Sequence, residues 1–402
     1  MKINKKVNYV EKGELSFGST GRNKMKKLMS EVLGTINSNN LSIRKLATEI
    51  DISRTTLWNG LHTNHEMKLE TFIKMIRKIY MNPKEIRMKI KSFIMRCTGD
   101  LNIRKALCYC QASGEYDTLH FLLRKHKESD DLKKYIAIYE LFNKRNKNEA
   151  RGRKLENMVY DLNISKDVEC RTLIEMLLTI CMYDSANYSA MIPHADKTKR
   201  LLPKIKNALI HDYLQMHYYE RLAYVELLNS NVEQSRTVCN EILQSDLDLQ
   251  FIKATALCCL GESYIYTDVL KAEEYILKAI NCLKDAPSFQ QTRKYKAFKT
   301  TLAFIYIEFG FNLDKIDFSC IEQADIAFYE AKYGDREVAK RILKSIENDN
   351  DKLSPFQLYY LSYAYPEKNK EYLNKSLEAF AKNGNIFYIK VVQTAIMKEM
   401  VS

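Results

Sequence analysis

The chain repeats one piece of punctuation three times. An acidic or amide residue is followed, four positions on, by a small residue that opens an amphipathic run: Asn231-x-x-x-Ser235, Asp268-x-x-x-Ala272 and Asp335-x-x-x-Ala339. The copies lie 37 and 67 residues apart, close to one and two units of a helix-pair repeat of about 34 residues. A helix pair of this kind leaves an apolar face that only the next pair can bury, so the pattern requires a stack of pairs. Only 12 glycines and 6 prolines interrupt the 402 residues. That is too few for an all-β chain, which turns roughly every 8–12 residues. No Gly-rich turn follows a strand-like apolar run, which argues against a parallel α/β sheet. The expected fold class is all-α.

The middle copy is the clearest. Leu260-Gly261-x-x-Tyr264 occupies its first helix, Ala272, Ile276 and Ala279 its second, and Pro287 follows. The arrangement resembles the tetratricopeptide pattern with the inter-helix turn one residue short. Gly261 and Ala279 lack the bulk that would hold two helices apart. Tyr264 and Ile276 are expected to fill the space between neighbouring pairs. Weaker copies over 101–127, 131–160, 168–210 and 356–383 extend the series into an α-solenoid, with an irregular helical bundle as the alternative.

Charge separates the chain into two parts. Residues 1–100 hold 20 Lys and Arg against 9 Asp and Glu, a net +11 of the total +13. A basic end on a near-neutral body points to a nucleic-acid-binding head. Residues 42–61, SIRKLATEIDISRTTLWNGL, resemble the helix-turn-helix of Cro/repressor-type DNA-binding domains. Leu46 and Ile50 share a face of the first helix, Ala47 is small at the crossing, and Ile52 plugs the turn. Ser53 suits an N-cap, and Leu57 and Leu61 point inward. Asp51 stands where the tight turn commonly has Gly, and Asp tolerates left-handed backbone angles better than most residues. The second helix of such a motif enters the major groove by its N-terminal residues. The DNA-facing candidates are Ser53, Arg54, Thr55, Thr56, Trp58 and Asn59, with Arg44 and Lys45 on phosphates. Arg54 has the geometry for guanine and Asn59 for adenine; Trp58 fits either this face or the core. The expected division is a flexible basic arm over 1–23, a helix-turn-helix domain over 24–96, and a tetratricopeptide-like peptide-binding and dimerisation domain over 97–402.

Catalytic signatures are lacking. The sequence has no P-loop, GxSxG or HExxH motif, and no paired Cys/His array, so no catalytic residue, metal or cofactor is expected. The ten cysteines include no CxxC and sit in apolar helical runs, as small buried hydrophobes in a reducing compartment. No apolar run of 18 residues occurs, so no membrane span is expected, and the expected location is the bacterial cytoplasm.

Four stretches carry a more specific resemblance: SNVEQSRTVCNEIL, LGESYIYTDVLKAEEYILKAI, AFYEAKYGDREVAKRIL and NKSLEAFAKNGNIFYIK. In order and spacing they resemble the AimR-type arbitrium receptors of Bacillus phages. That resemblance implies a regulator that binds double-stranded promoter DNA as a homodimer and activates a gene restraining lysogeny. A short signalling peptide in the solenoid groove would switch it off. The peptide-contacting positions it implies fall on Tyr224, Gln250, Glu262, Ser354, Asn385 and Phe387. Better-known members carry asparagine at the first and third of these and arginine at the second; this chain has none of the three. Two other classes fit the same sequence: another quorum-sensing-type peptide-regulated transcription factor, and a helical-repeat adaptor that binds protein and not DNA.

Overall fold

The computed structural model describes residues 21–63, 65–163, 166–284, 286, 293–350 and 352–401, and divides the chain into two units, Met1–Ala106 and Leu107–Ser402. All regular structure among the described residues is helical. The arm expected over 1–23 lies outside the described residues up to residue 20, and Pro287 lies outside them too; a helix already begins at Gly21.

The first unit holds α1 (Gly21–Ser38), α2 (Ile43–Glu49), α3 (Arg54–His62), α4 (Leu69–Ile79) and α5 (Pro83–Ile94), and its boundary falls within α6 (Asp100–Ser113). Local chemistry sets these limits. Ser42 and Ser53 cap α2 and α3 by accepting from the backbone N–H of Lys45 and Thr56, each satisfying a donor the helix leaves unpaired. Between them Asp51 adopts φ +57°, in the left-handed region. Leu46, Ala47, Ile50, Leu57 and Leu61 are buried, and so are Leu69, Phe72, Ile73 and Ile76 of α4. Ile52 is half-buried.

The second unit continues with α7 (Tyr116–Lys125), α8 (Lys133–Asn146), α9 (Gly152–Tyr160), α10 (Val168–Asp184), α11 (Met191–Leu201), α12 (Ala208–Leu228) and α13 (Val232–Gln244). Then come α14 (Gln250–Tyr264), α15 (Val269–Leu283), α16 (Arg293–Phe309), α17 (Gln323–Tyr333), α18 (Arg336–Asn350), α19 (Pro355–Ala364), α20 (Asn369–Asn383) and α21 (Ile389–Val401). From α12 to α20 each helix packs on its successor. A second series joins α10 to α12, α12 to α14, α14 to α16, α16 to α17 and α17 to α19, forming one continuous wall. This is the helical solenoid that the repeated punctuation requires. Its small residues are at the helix crossings: Ser235, Ala272 and Ala339 are all fully buried. Ser235 also donates through its hydroxyl to the Ala223 carbonyl at 2.9 Å. At Gly261 a Cβ would lie 2.5 Å from Ile276 Cγ1 and 2.9 Å from the Ala272 carbonyl oxygen, so only glycine lets α14 and α15 approach this closely. Tyr264 differs from expectation. It lies half-buried at the rim, stacked on Tyr275, with Arg236 and Lys271 over its ring.

One contact set ties distant parts of the second unit together. The backbone N–H of Tyr188 donates to the Asn383 carbonyl at 2.8 Å, and those of Ile386 and Phe387 donate to the Leu228 carbonyl at 2.8 and 3.1 Å. Gly384 turns the chain at φ +80°, and a Cβ there would come within 2.8 Å of the Ser189 backbone nitrogen. The α20–α21 loop is thereby fastened to the α10–α11 loop and the end of α12. Eight of the ten cysteines are buried, and no described helix is long and apolar enough to cross a membrane.

Candidate functional site

In the first unit α3 offers a polar face. Ser53, Arg54, Thr55, Thr56 and Trp58 are exposed and Asn59 is half-buried; Arg44 and Lys45 are exposed on α2. The Thr56 hydroxyl is engaged with the Ser53 hydroxyl at 2.8 Å. Trp58 is 45% exposed, so it is not a core residue. Its ring stacks on His62 at 4.6 Å, and His62 Nδ1 lies 3.0 Å from the Trp58 carbonyl oxygen, which fixes the indole as a flat platform.

In the second unit a cavity of about 350 Å³ opens along the wall from α10 to α19. Tyr183 of α10, Tyr224 and Leu228 of α12, Glu262 of α14 and Thr300, Thr301 and Phe304 of α16 supply one side. Glu322 and Asp325 at the start of α17, and Ser354, Phe356, Gln357 and Tyr360 at the start of α19, supply the other. The fastened loops close it with Tyr188, Asn385 and Tyr388. Ser354 is fixed by a capping box: its Oγ accepts from the Gln357 N–H, and Gln357 Oε1 accepts from the Ser354 N–H.

Three carboxyl groups line this cavity and no Lys or Arg does, among the described residues. Glu262 accepts from the Tyr224 hydroxyl through Oε1 and from the Tyr388 hydroxyl through Oε2, both at 2.8 Å. Burial pushes its carboxyl above the usual range, against the pull of these donors and of Cys258. Asp325 is 5% exposed, and burial raises it to about 7 even though Tyr360 donates to it at 3.2 Å. Glu322 is exposed and pairs with Lys296 at 3.1 Å. A buried carboxyl beside others favours the approach of a cation, while the tyrosine rings offer rigid apolar area with polar tips. No group of three His, Cys, Asp or Glu side chains among the described residues is placed to hold a metal ion.

Residues 85–398 match the family model described as AimR transcriptional regulator-like. The chain belongs to that family. A Bacillus anthracis relative, the uncharacterized protein pXO2-35, is 30% identical to this AimR-like chain over 230 residues, which are 56% of this chain and 84% of the relative. The solved structure of phAimR with ligand superimposes with a TM-score of 0.72 at 16% identity, covering 83% of this chain and 98% of the other. That of selenomethionine phAimR gives 0.61 at 14%, covering 92% and 97%. At these identities the likeness establishes the fold.

Of the six positions expected to meet a peptide in this AimR-like chain, the structure brings Tyr224, Glu262, Ser354 and Asn385 into one cavity. Gln250 stands outside its lining, held at the start of α14 between Asp248 and Cys282. Phe387 also stands outside it. Its ring is 1% exposed and packs against Tyr266 and Tyr388. Sequence reasoning missed Asp325, Tyr360, Tyr183, Tyr188 and Tyr388. A signal existed for Asp325, which shares its face of α17 with the fully buried Phe328 three positions on. A carboxyl in register with a buried stripe is unusual enough to mark a site.

Proposed function

We propose that this chain is a peptide-responsive, DNA-binding transcriptional regulator of the arbitrium-receptor kind, acting as a homodimer that binds promoter DNA until a short signalling peptide enters the solenoid. The observation that carries the reading is the acidic, tyrosine-walled cavity in an AimR-like body. A short linear peptide suits its chemistry, with a cationic side chain or the amino terminus toward Glu262 and with Ser354 and Asn385 meeting backbone groups. DNA is read by α3, with Arg54 and Asn59 on bases and the basic residues of the first 100 positions on phosphates. Pairing uses the C-terminal segment, where Ile386 of the α20–α21 loop and Met397 of α21 are exposed at 44% and 65%. The phage lysis–lysogeny decision is the setting this family membership supports best.

For the peptide to act as a switch it must prefer one arrangement of the dimer; a hundredfold preference, about 2.7 kcal/mol, redistributes a modestly biased equilibrium. The test combines gel shifts on promoter fragments with calorimetry, using synthetic peptides encoded by small reading frames beside the gene. Peptide binding that weakens operator affinity supports the reading. DNA affinity unchanged by every such peptide, with no heat of binding, sinks the signalling role. A body that binds proteins while the full chain ignores DNA would favour the adaptor reading.

A further inference from the structure

We infer that a monovalent, halide-sized anion binds in the second unit between α8, α12, α14 and α16, held by Arg221 and Arg145, with the charge of the Lys294 ammonium beside it. These cations line a small cavity of about 30 Å³, separate in its lining from the large one. That is room for a single water-sized or halide-sized particle and excludes a phosphate or a peptide terminus.

The charge count there does not balance. Glu220 Oε1 takes the Arg221 guanidinium at 2.8 Å, the Lys294 ammonium, and the Thr255 hydroxyl at 2.8 Å; the ammonium gives its other donors to the Thr255 hydroxyl at 2.6 Å and the Phe251 carbonyl at 3.3 Å. Arg145 is held bidentately by Asp184 at 2.9 and 3.0 Å, and Arg151 pairs with the same carboxylate. Four cations thus share two carboxylates. His217, 3.8 Å from Glu220, adds no charge at neutral pH because burial holds it down to about 4. Burial lowers Lys294, and Arg221 and Arg145 lower it further while Glu220 opposes them, so the three cations sense one another.

A second observation is independent of charge. Arg221 is 7% exposed, and its Nε has no hydrogen-bond partner among the described residues. A buried donor left unpaired is costly, and an anion in the cavity satisfies it while neutralising part of the surplus. A water molecule satisfies the donor alone. Lys294, with a quarter of its side chain exposed, marks the route from solvent.

The test is thermal unfolding of the full chain in sodium chloride against sodium gluconate at constant ionic strength. The expected result is a saturable rise in midpoint with chloride, roughly 3–6 °C at a hundredfold excess over the dissociation constant. Crystals grown in bromide should show anomalous scattering at hydrogen-bond distance from Arg221 Nε. Arg221→Gln should abolish the chloride-specific rise, and Lys294→Gln serves the same comparison where the first variant does not fold. Equal midpoints in the two salts, or bromide confined to the surface, overturns the site and leaves a water there.

Discussion

Tyr388 reaches back across 126 positions to donate a hydrogen bond to Glu262 at 2.8 Å, and Tyr224 meets the other oxygen of the same carboxyl at the same distance. The floor of the large cavity is therefore built by two helices, α12 and α14, and the α20–α21 loop, which no local pattern connects. Tyr388→Phe keeps the ring but leaves Glu262 Oε2 short of a donor, so a destabilisation of about 1–3 kcal/mol is expected in urea unfolding. Glu262→Gln should bind a cationic hexapeptide at least about tenfold more weakly by calorimetry, a loss of ~1.4 kcal/mol. Equal affinity in wild type and variant would place the cation elsewhere.

Asp325 gives stability a pH dependence of defined sign. Its carboxyl is raised from 3.8 to about 7 by burial, so the folded state holds a proton that the unfolded chain has released. Its contribution is present below about pH 4 and is lost as pH rises through about 7. Asp325→Asn removes that penalty and should stabilise the protein at pH 8 by up to about 4 kcal/mol, with little effect at pH 4. Urea midpoints at both pH values check this; a variant no more stable at pH 8 than wild type refutes it.

Two glycines make a matched pair. Gly261→Ala drives a methyl into Ile276 and the Ala272 carbonyl, at an expected cost of about 1–3 kcal/mol. Gly34→Ala on α1 meets nothing within 4 Å and should stabilise by up to about 1 kcal/mol. Calorimetric midpoints moving in opposite directions is the expected outcome.

The exposed face of α3 is open to direct test. Arg54→Ala and Asn59→Ala should each cost about 1–3 kcal/mol in operator affinity and relax base preference. Trp58→Ala removes a 45% exposed ring, so its effect on stability should stay within about 0.5 kcal/mol. Fluorescence anisotropy at several salt concentrations separates base from phosphate contributions. Three variants binding like wild type would move the DNA surface off α3.

What the sequence made legible was whatever local chemistry decides. The caps at Ser42 and Ser53, the turn at Asp51, and the small residues Ser235, Ala272 and Ala339 each follow from a few neighbouring positions. Trp58 was undecided because its helical position borders both faces, and only packing settled that the ring lies outside. Tyr264 was misplaced because its repeat position sits inward in the tetratricopeptide pattern. Here Arg236 and Lys271 hold the ring at the rim instead. The cavity was half legible: Tyr224, Glu262, Ser354 and Asn385 came from a resemblance, whereas Tyr188 and Tyr388 arrive by loops that close on distant helices. Nothing in a single segment announces such a closure.

A stack of repeats ordinarily frays from its ends, since a terminal pair has a neighbour on one side only. In this chain the turn at Gly384, pressed on Ser189, and the paired amides of Ile386 and Phe387 on Leu228 give the last pair a second neighbour well over a hundred positions upstream. The unit is latched, so α20 and α21 should exchange their amide hydrogens about as slowly as α12 and α14. Unfolding between α10 and α21 should accordingly proceed as one event, without peeling from the C-terminal side.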